Sequence, residues 1–388
     1  MVRYVSRRMY SLPTSGIRAI YEKAKGMRDV IRLEIGEPNL DTPNHIKKAA
    51  RKAIDAGFTH YTSSSGSLDL RELVAEKVGT ENGISADLAN VVVTPGASSA
   101  VYCAIVSIVN AGEEVLIPDP GWPNYEACVK IAGGVPVHYP QFEKDNFRVN
   151  PANLEKMINE RTKAILINSP NNPTGSVLEA KHLQCISRLA QDKDLIVISD
   201  EVYEKIIYDN VKHTSIASLP DMLERTVTVN ALSKAYAMTG WRIGYAIAPA
   251  DVAEQMAKLV LYTGTCANSI GQKAAMAALG GSQDSVQKAV HEYRRRRDIM
   301  IRRLNEIQGI SCTIPKGAFY AFPNIKNLSM NAIESADFFL TNASVSTVPG
   351  TAFGKNGEGY LRLSYATSVR NLIEGLDRIE KCLKLQNC

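Results

Sequence analysis

The sequence predicts an α/β fold: a three-layer αβα unit built on a mainly parallel sheet, followed by a smaller α+β unit. Three observations predict it. Between about residues 90 and 250, short continuous apolar runs alternate with helical stretches, the pattern of strands buried on both faces. After residue 280 the pattern changes to a long helix followed by scattered short strands. The 388 residues, 45% apolar and 22% charged, have the composition of an ordinary globular protein long enough for two cores.

Each element has a local reason. Val91 to Thr94 is a β-branched run that precedes an apolar helix through Val101 to Val109. Val115 to Pro118, Val135 to Tyr139, Ala164 to Asn168, Leu195 to Asp200, Thr226 to Asn230 and Arg242 to Ala248 follow as strands. The later region reads as a helix from about Asp284 to Ile307, strands near Ser311 to Ile314 and Ala318 to Pro323, and a helix near Ala332 to Thr341. A strand around Tyr360 to Tyr365 and a helix from about Val369 to Leu385 close the chain. The segment Ile31 to Gly36 is expected to join this smaller unit. The division is therefore an N-terminal arm over 1–14, a large unit over 46–289, and a small unit over 15–45 and 290–388.

Bulk properties exclude several functions. A net charge of +5 says little about partners, and the densest basic run, Arg294 to Arg297, lies in a helix where consecutive residues point apart. A solvated, ion-paired surface is expected there rather than a nucleic-acid site. The seven cysteines are scattered without a CxxC, so neither a metal site nor a disulfide framework is expected, and a reducing compartment fits. Met1 to Val5 lacks the apolar core of a signal peptide, and no run approaches the roughly 18 apolar residues that span a bilayer. The chain reads as cytoplasmic. No GxGxxG follows the first strand, which argues against a dinucleotide fold.

The chemistry gathers where strands end, as ligand sites do in such sheets. Lys234 stands in Ser233-Lys234-Ala235-Tyr236, downstream of Asp200-Glu201-Val202-Tyr203. An amine able to form a Schiff base, an acid for a ring nitrogen and a phenol for a ring oxygen are what pyridoxal phosphate requires. Lys234 would carry the cofactor and move the substrate's α-proton; Asp200 would keep the pyridine nitrogen protonated. Tyr203 and Asn172, the latter in the turn Asn171 to Gly175, would donate to the phenolic oxygen. Gly96, Ala97 and Ser98 open a helix suited to a phosphate, with Ser233 and Arg242 adding a hydroxyl and a charge. Trp122 would cover one ring face and Val202 the other. Arg362, an arginine inside an apolar strand, would hold a carboxylate.

With those residues in place, the chain resembles the aspartate aminotransferase family of fold-type-I pyridoxal phosphate enzymes, in its bacterial and archaeal branch. The resemblance rests on Ile35 to Asn39, Tyr61 with Gly66, Asn171 to Gly175 and Asp200 to Tyr203. It continues through Ser233-Lys234, Gly240 to Gly244, Pro349-Gly350 and Arg362 to Thr367, and covers essentially the whole chain. It implies a homodimer in which Tyr61 reaches the neighbouring subunit's cofactor phosphate. It also implies that Gly36 borders the substrate α-carboxylate that Arg362 clamps, and that Ile17 lies in an N-terminal segment approaching the substrate. One branch binds a distal carboxylate with a partner arginine near Leu261 to Cys266, but no arginine occurs here between Arg242 and Arg294. Arg18 is a candidate for that role, with an exposed arginine on the first helix as the alternative. The implied reaction is ping-pong amino transfer between an α-amino acid, aspartate first, and 2-oxoglutarate. Aromatic or alanine transfer, or a C–S or β-elimination lyase reaction of the same fold, are the alternatives. A non-catalytic regulator would need an added DNA-binding domain, for which the chain has no room.

Overall fold

The alternation of side chains along the strands sets the layers. In the computed structural model, which describes residues 4–386, seven strands form one sheet. Their order is Val91–Thr94, Gly244–Ile247, Thr226–Ala231, Ile196–Asp200, Thr162–Asn168, Glu114–Asp119, Val135–Pro140. All run parallel except Gly244–Ile247, which is antiparallel to both its neighbours. Val92, Ala164 and Leu166 face helices Ala97–Ile108, Asn124–Ala132 and Ala250–Gly264. Val91 and Val93 face the opposite side, against helices Asn44–Asp55, Leu68–Asn82 and Ser269–Gly280. Ile165 and Ile167 share that side with helix Ala180–Asp192. A strand with apolar residues on both faces needs cover on both, which explains the three layers.

The later region packs helices Asp284–Glu306, Ala332–Ala343 and Val369–Gln386 around Leu33, Phe319, Phe339 and Leu363. Its small antiparallel sheet is Val348–Pro349, Leu361–Ser364 and Tyr320–Ala321. Ile31–Arg32 pairs in parallel with Val345–Ser346, so the N-terminal segment joins this region as expected. Its core also takes in Tyr203, Ile206 and Tyr208, from just beyond the end of the Ile196–Asp200 strand.

Four expectations need correction. Ser311 to Ile314 is not a strand; Ser311 makes one isolated bridge to Asn324. Pro315 has no N–H to donate, and the next two N–H groups, of Lys316 and Gly317, go to the Gly175 carbonyl instead of a ladder. The expected strand Ala318 to Pro323 shrinks to Tyr320–Ala321, because Ala318 adopts a left-handed φ of 56° and donates to Ile206. Likewise Arg242, at φ 55°, precedes its strand rather than opening it. The fourth correction concerns the arginine run, which is not all solvated surface. Arg294 and Arg295 are exposed, but Arg296 and Arg297 are buried. Arg297 makes a two-pronged bond to Asp209 at 2.7 and 2.9 Å, and Arg296 bonds Glu292 and Asn39. Tertiary carboxylates, invisible in a local pattern, make that burial tolerable.

Residues 1–3 of the expected arm and the last cysteine, Cys388, lie outside the described residues. Among those described, no helix is long and apolar enough to cross a membrane.

Candidate active site

The strand ends converge on a cavity of about 510 Å³. Ala97, Ser98, Trp122, Asn172, Asp200, Val202, Tyr203, Ser233, Lys234 and Arg242 line it from the large sheet's side. Ile17, Gly36 and Arg362 line it from the other. Residues nearly 200 positions apart thus meet: the Lys234 Nζ donates to the Gly36 carbonyl at 2.7 Å. Burial and the nearby Arg362 hold the Lys234 ammonium down to about 8, so a useful share of the amine is unprotonated near neutrality.

Asp200 ends its strand buried, and desolvation raises its carboxyl to about 6. Its Oδ2 accepts from the Tyr125 hydroxyl at 2.6 Å and its Oδ1 from the Val202 N–H at 3.3 Å. Tyr203 shares a hydrogen bond of 2.8 Å with Tyr320. Asn172 accepts from Arg362 Nη1 at 3.2 Å through its amide oxygen, which leaves its NH2 as the group it offers. Its backbone N–H is tied to the Asn168 Oδ1 at 2.9 Å. The turn behind it closes because Gly175, at φ 67°, meets Pro315 where a Cβ would stand 2.4 Å away.

Arg362 is 2% exposed, yet among the described residues no carboxylate pairs with it. Its Nη2 donates to the Glu34 carbonyl at 2.5 Å, its Nε is buried without a partner, and Tyr320 and Phe353 flank the guanidinium. A structural ion pair is therefore not its explanation. A buried charge of this kind fits an anion that arrives from outside.

An anion cradle lies at the opposite wall. Helix Ala97–Ile108 begins beside Arg242, so close that a Cβ on Gly96 would stand 2.4 Å from Nη2. The helix N-terminus, Ser98, Ser233 and the guanidinium together form a donor set for a phosphate. This set, the buried Asp200, which forms no salt bridge among the described residues, and the perturbed Lys234 are the fittings that pyridoxal phosphate needs.

Two residues stand elsewhere. Tyr61 is 83% exposed and does not line its own chain's cavity. Arg18 does not line the cavity either: it pairs with Glu22 at 2.6 Å and lies over the ring of Tyr21, which does line it. Tyr125, Tyr320 and Tyr21 also line the cavity though the sequence reading did not mark them, while Asn168, Ile35 and Glu37 lie in marked stretches without an assigned role. Tyr125 had a usable signal, since it lies three residues after Trp122, and the two rings meet edge-on at 5.4 Å. Tyr320 had none, because a distant strand carries it.

The family model for aminotransferase class I and II matches residues 28–379. The chain is 48% identical to an aspartate aminotransferase of Pyrococcus abyssi, over 98% of each chain. It is 45% identical to aromatic-amino-acid aminotransferase 2 of Thermococcus litoralis, again over 98% of each. The solved aspartate aminotransferase of Thermus thermophilus with maleate superposes with a TM-score of 0.94 at 38% identity, covering 98% of this chain and all of that one.

Proposed function

The chain belongs to the aminotransferase class I and II family and is a pyridoxal-phosphate-dependent aminotransferase, and from that premise we propose how its residues divide the work. One observation carries the assignment: a half-buried amine of lowered pKa faces a buried acid and a buried arginine without a salt-bridge partner across a single cavity. When bound, pyridoxal phosphate supplies an aldehyde for an amine and a ring that accepts electrons.

The chain's own groups do the rest. Lys234 Nζ holds the aldehyde and then moves the proton at the substrate's α-carbon. Asp200 holds a proton at the ring nitrogen, with Tyr125 keeping its second oxygen occupied. Tyr203 and the Asn172 amide donate to the ring oxygen. Ser98, Ser233, Arg242 and the helix start at Gly96 and Ala97 hold the phosphate, while Trp122 and Val202 border the ring faces. Arg362, Gly36 and Ile17 receive the substrate, the arginine taking its α-carboxylate. Borohydride reduction of the loaded protein followed by peptide mapping tests the assignment. The label is expected on Lys234, and a label on another lysine would refute it.

For the donor we favour aspartate with 2-oxoglutarate as acceptor, on the likeness to enzymes of that name. A second reading, an aromatic donor, is supported by the wall itself. Lys234, Arg242 and Arg362 are the basic residues of the cavity and are already assigned, while Ile17, Tyr21 and Ile35 offer an apolar surface. Comparing aspartate, alanine, tyrosine and phenylalanine against 2-oxoglutarate separates the two. The exposed Tyr61, Leu68, Leu261 and Tyr262 support a homodimer in which Tyr61 completes the neighbour's phosphate site. We also assign residues 46–289 to a large domain, 15–45 and 290–388 to a small one, and 1–14 to an arm, and place the enzyme in the cytoplasm.

A further inference from the structure

The turn that presents Asp200 and Tyr203 to the cavity has a second side. Between and beyond them stand Glu201 and Glu204, which do not line the cavity. The buried Glu201 carboxylate accepts from Ser199 at 2.7 Å, Ser215 at 2.9 Å and His213 Nε2 at 2.7 Å. The Glu204 carboxylate accepts from the Lys77 ammonium and from Asn82 at 2.6 Å. Ligand atoms of Glu201, Glu204 and His213 lie within 4.8 Å of one another, a spacing that could suit a metal. Each carboxylate already has protein donors, however, so a proton on His213 suffices to hold the trio.

Charge counting points the same way. Helix Leu68–Asn82 adds Glu81, which pairs with Lys77 at 3.5 Å and Lys205 at 2.9 Å. The facing phenols, Tyr236 and Tyr245, remain protonated and neutral. Glu81, Glu201 and Glu204 thus oppose Lys77 and Lys205, and only an imidazolium at His213 balances them.

We propose that Glu201 and protonated His213 are positioning residues, whose buried ion pair fixes from behind the turn that aims Asp200 and Tyr203 at the cofactor. The inference rests on the cofactor reading given above. Burial disfavours the imidazolium, but Glu201 and Glu204 outweigh it and hold the proton above the ordinary histidine range. With its folded pKa raised, His213 stabilises fully below pH 6.5, the ordinary value, and loses that contribution as the pH climbs through the folded one.

The test compares holoenzymes of the wild type, Glu201→Gln and His213→Gln by pyridoxal phosphate dissociation constant, visible spectrum and melting temperature across pH. Both variants should bind the cofactor about tenfold more weakly near neutrality. The gap between wild type and His213→Gln should close as the pH rises. Lower melting with unchanged cofactor affinity and spectrum would show a merely structural role and overturn the proposal. Where a variant does not fold, imidazole NMR of the wild type decides. One of its six histidines must stay protonated above the ordinary range, and titration of all six at or below it refutes the idea. Wild type that binds no pyridoxal phosphate would instead sink the active-site reading.

Discussion

Burial governs the reactive groups one residue at a time. Lys234 loses its proton as the pH rises through about 8, and Asp200 loses its charge as the pH falls through about 6. The rate at which the cofactor-free protein takes up pyridoxal phosphate should therefore climb through both values, and a flat profile between about pH 5.5 and about 8.5 would contradict the assignment. Lys234→Ala should lose on the order of 10⁴-fold in rate. Tyr203→Phe and Asn172→Ala each remove one hydrogen bond and should lose only about ten- to a hundredfold. Steady-state kinetics of the three variants checks the ranking. Asp200 also carries a stability cost. Its raised pKa means that the protonated form stabilises the cofactor-free protein at low pH and that this gain is lost as the pH rises through about 6. Asp200→Asn keeps the shape without the charge, so the cofactor-free variant should melt a few degrees higher at neutral pH, by calorimetry, while its activity collapses.

At the scale of elements, the cofactor cradle depends on how closely one helix start approaches one side chain. Gly96 sits at φ 82° with the Arg242 guanidinium against it. Gly96→Ala forces both a strained backbone and a displaced arginine, and should weaken pyridoxal phosphate binding about tenfold or more. A fluorescence titration measures it, and unchanged affinity would mean the phosphate is held elsewhere. The strand ends that form this wall were legible beforehand, because β-branched runs such as Val91 to Val93 stop abruptly at Thr94, Asn168, Asp200 and Asn230. The small region was less so. Its strands are two to four residues long, and the direction of the Lys316 and Gly317 N–H groups depends on the Gly175 turn, about 140 residues earlier.

At the scale of the whole molecule, the homodimer proposed above would cover exposed large apolar residues. Tyr262 is 76% exposed and Leu261 48%, both near the end of helix Ala250–Gly264. Tyr262→Glu should shift the protein toward monomers in analytical ultracentrifugation and weaken cofactor binding, since Tyr61 of the neighbour would be withdrawn. A variant that stays dimeric with full affinity would place the interface elsewhere.

Residue types in chain order were enough to identify the chemistry: an amine, an acid and a phenol just past the ends of apolar runs, and a fork inside one, can be read without coordinates because strand periodicity and cofactor chemistry are local. Which groups touch which could not be read in this way. That Arg362 is buried without a salt bridge among the described residues, that Tyr125 caps Asp200 and that Arg297 finds Asp209 are outcomes of long-range packing. Desolvation and pairing, which set each of these charges, exist only once the chain has closed around them.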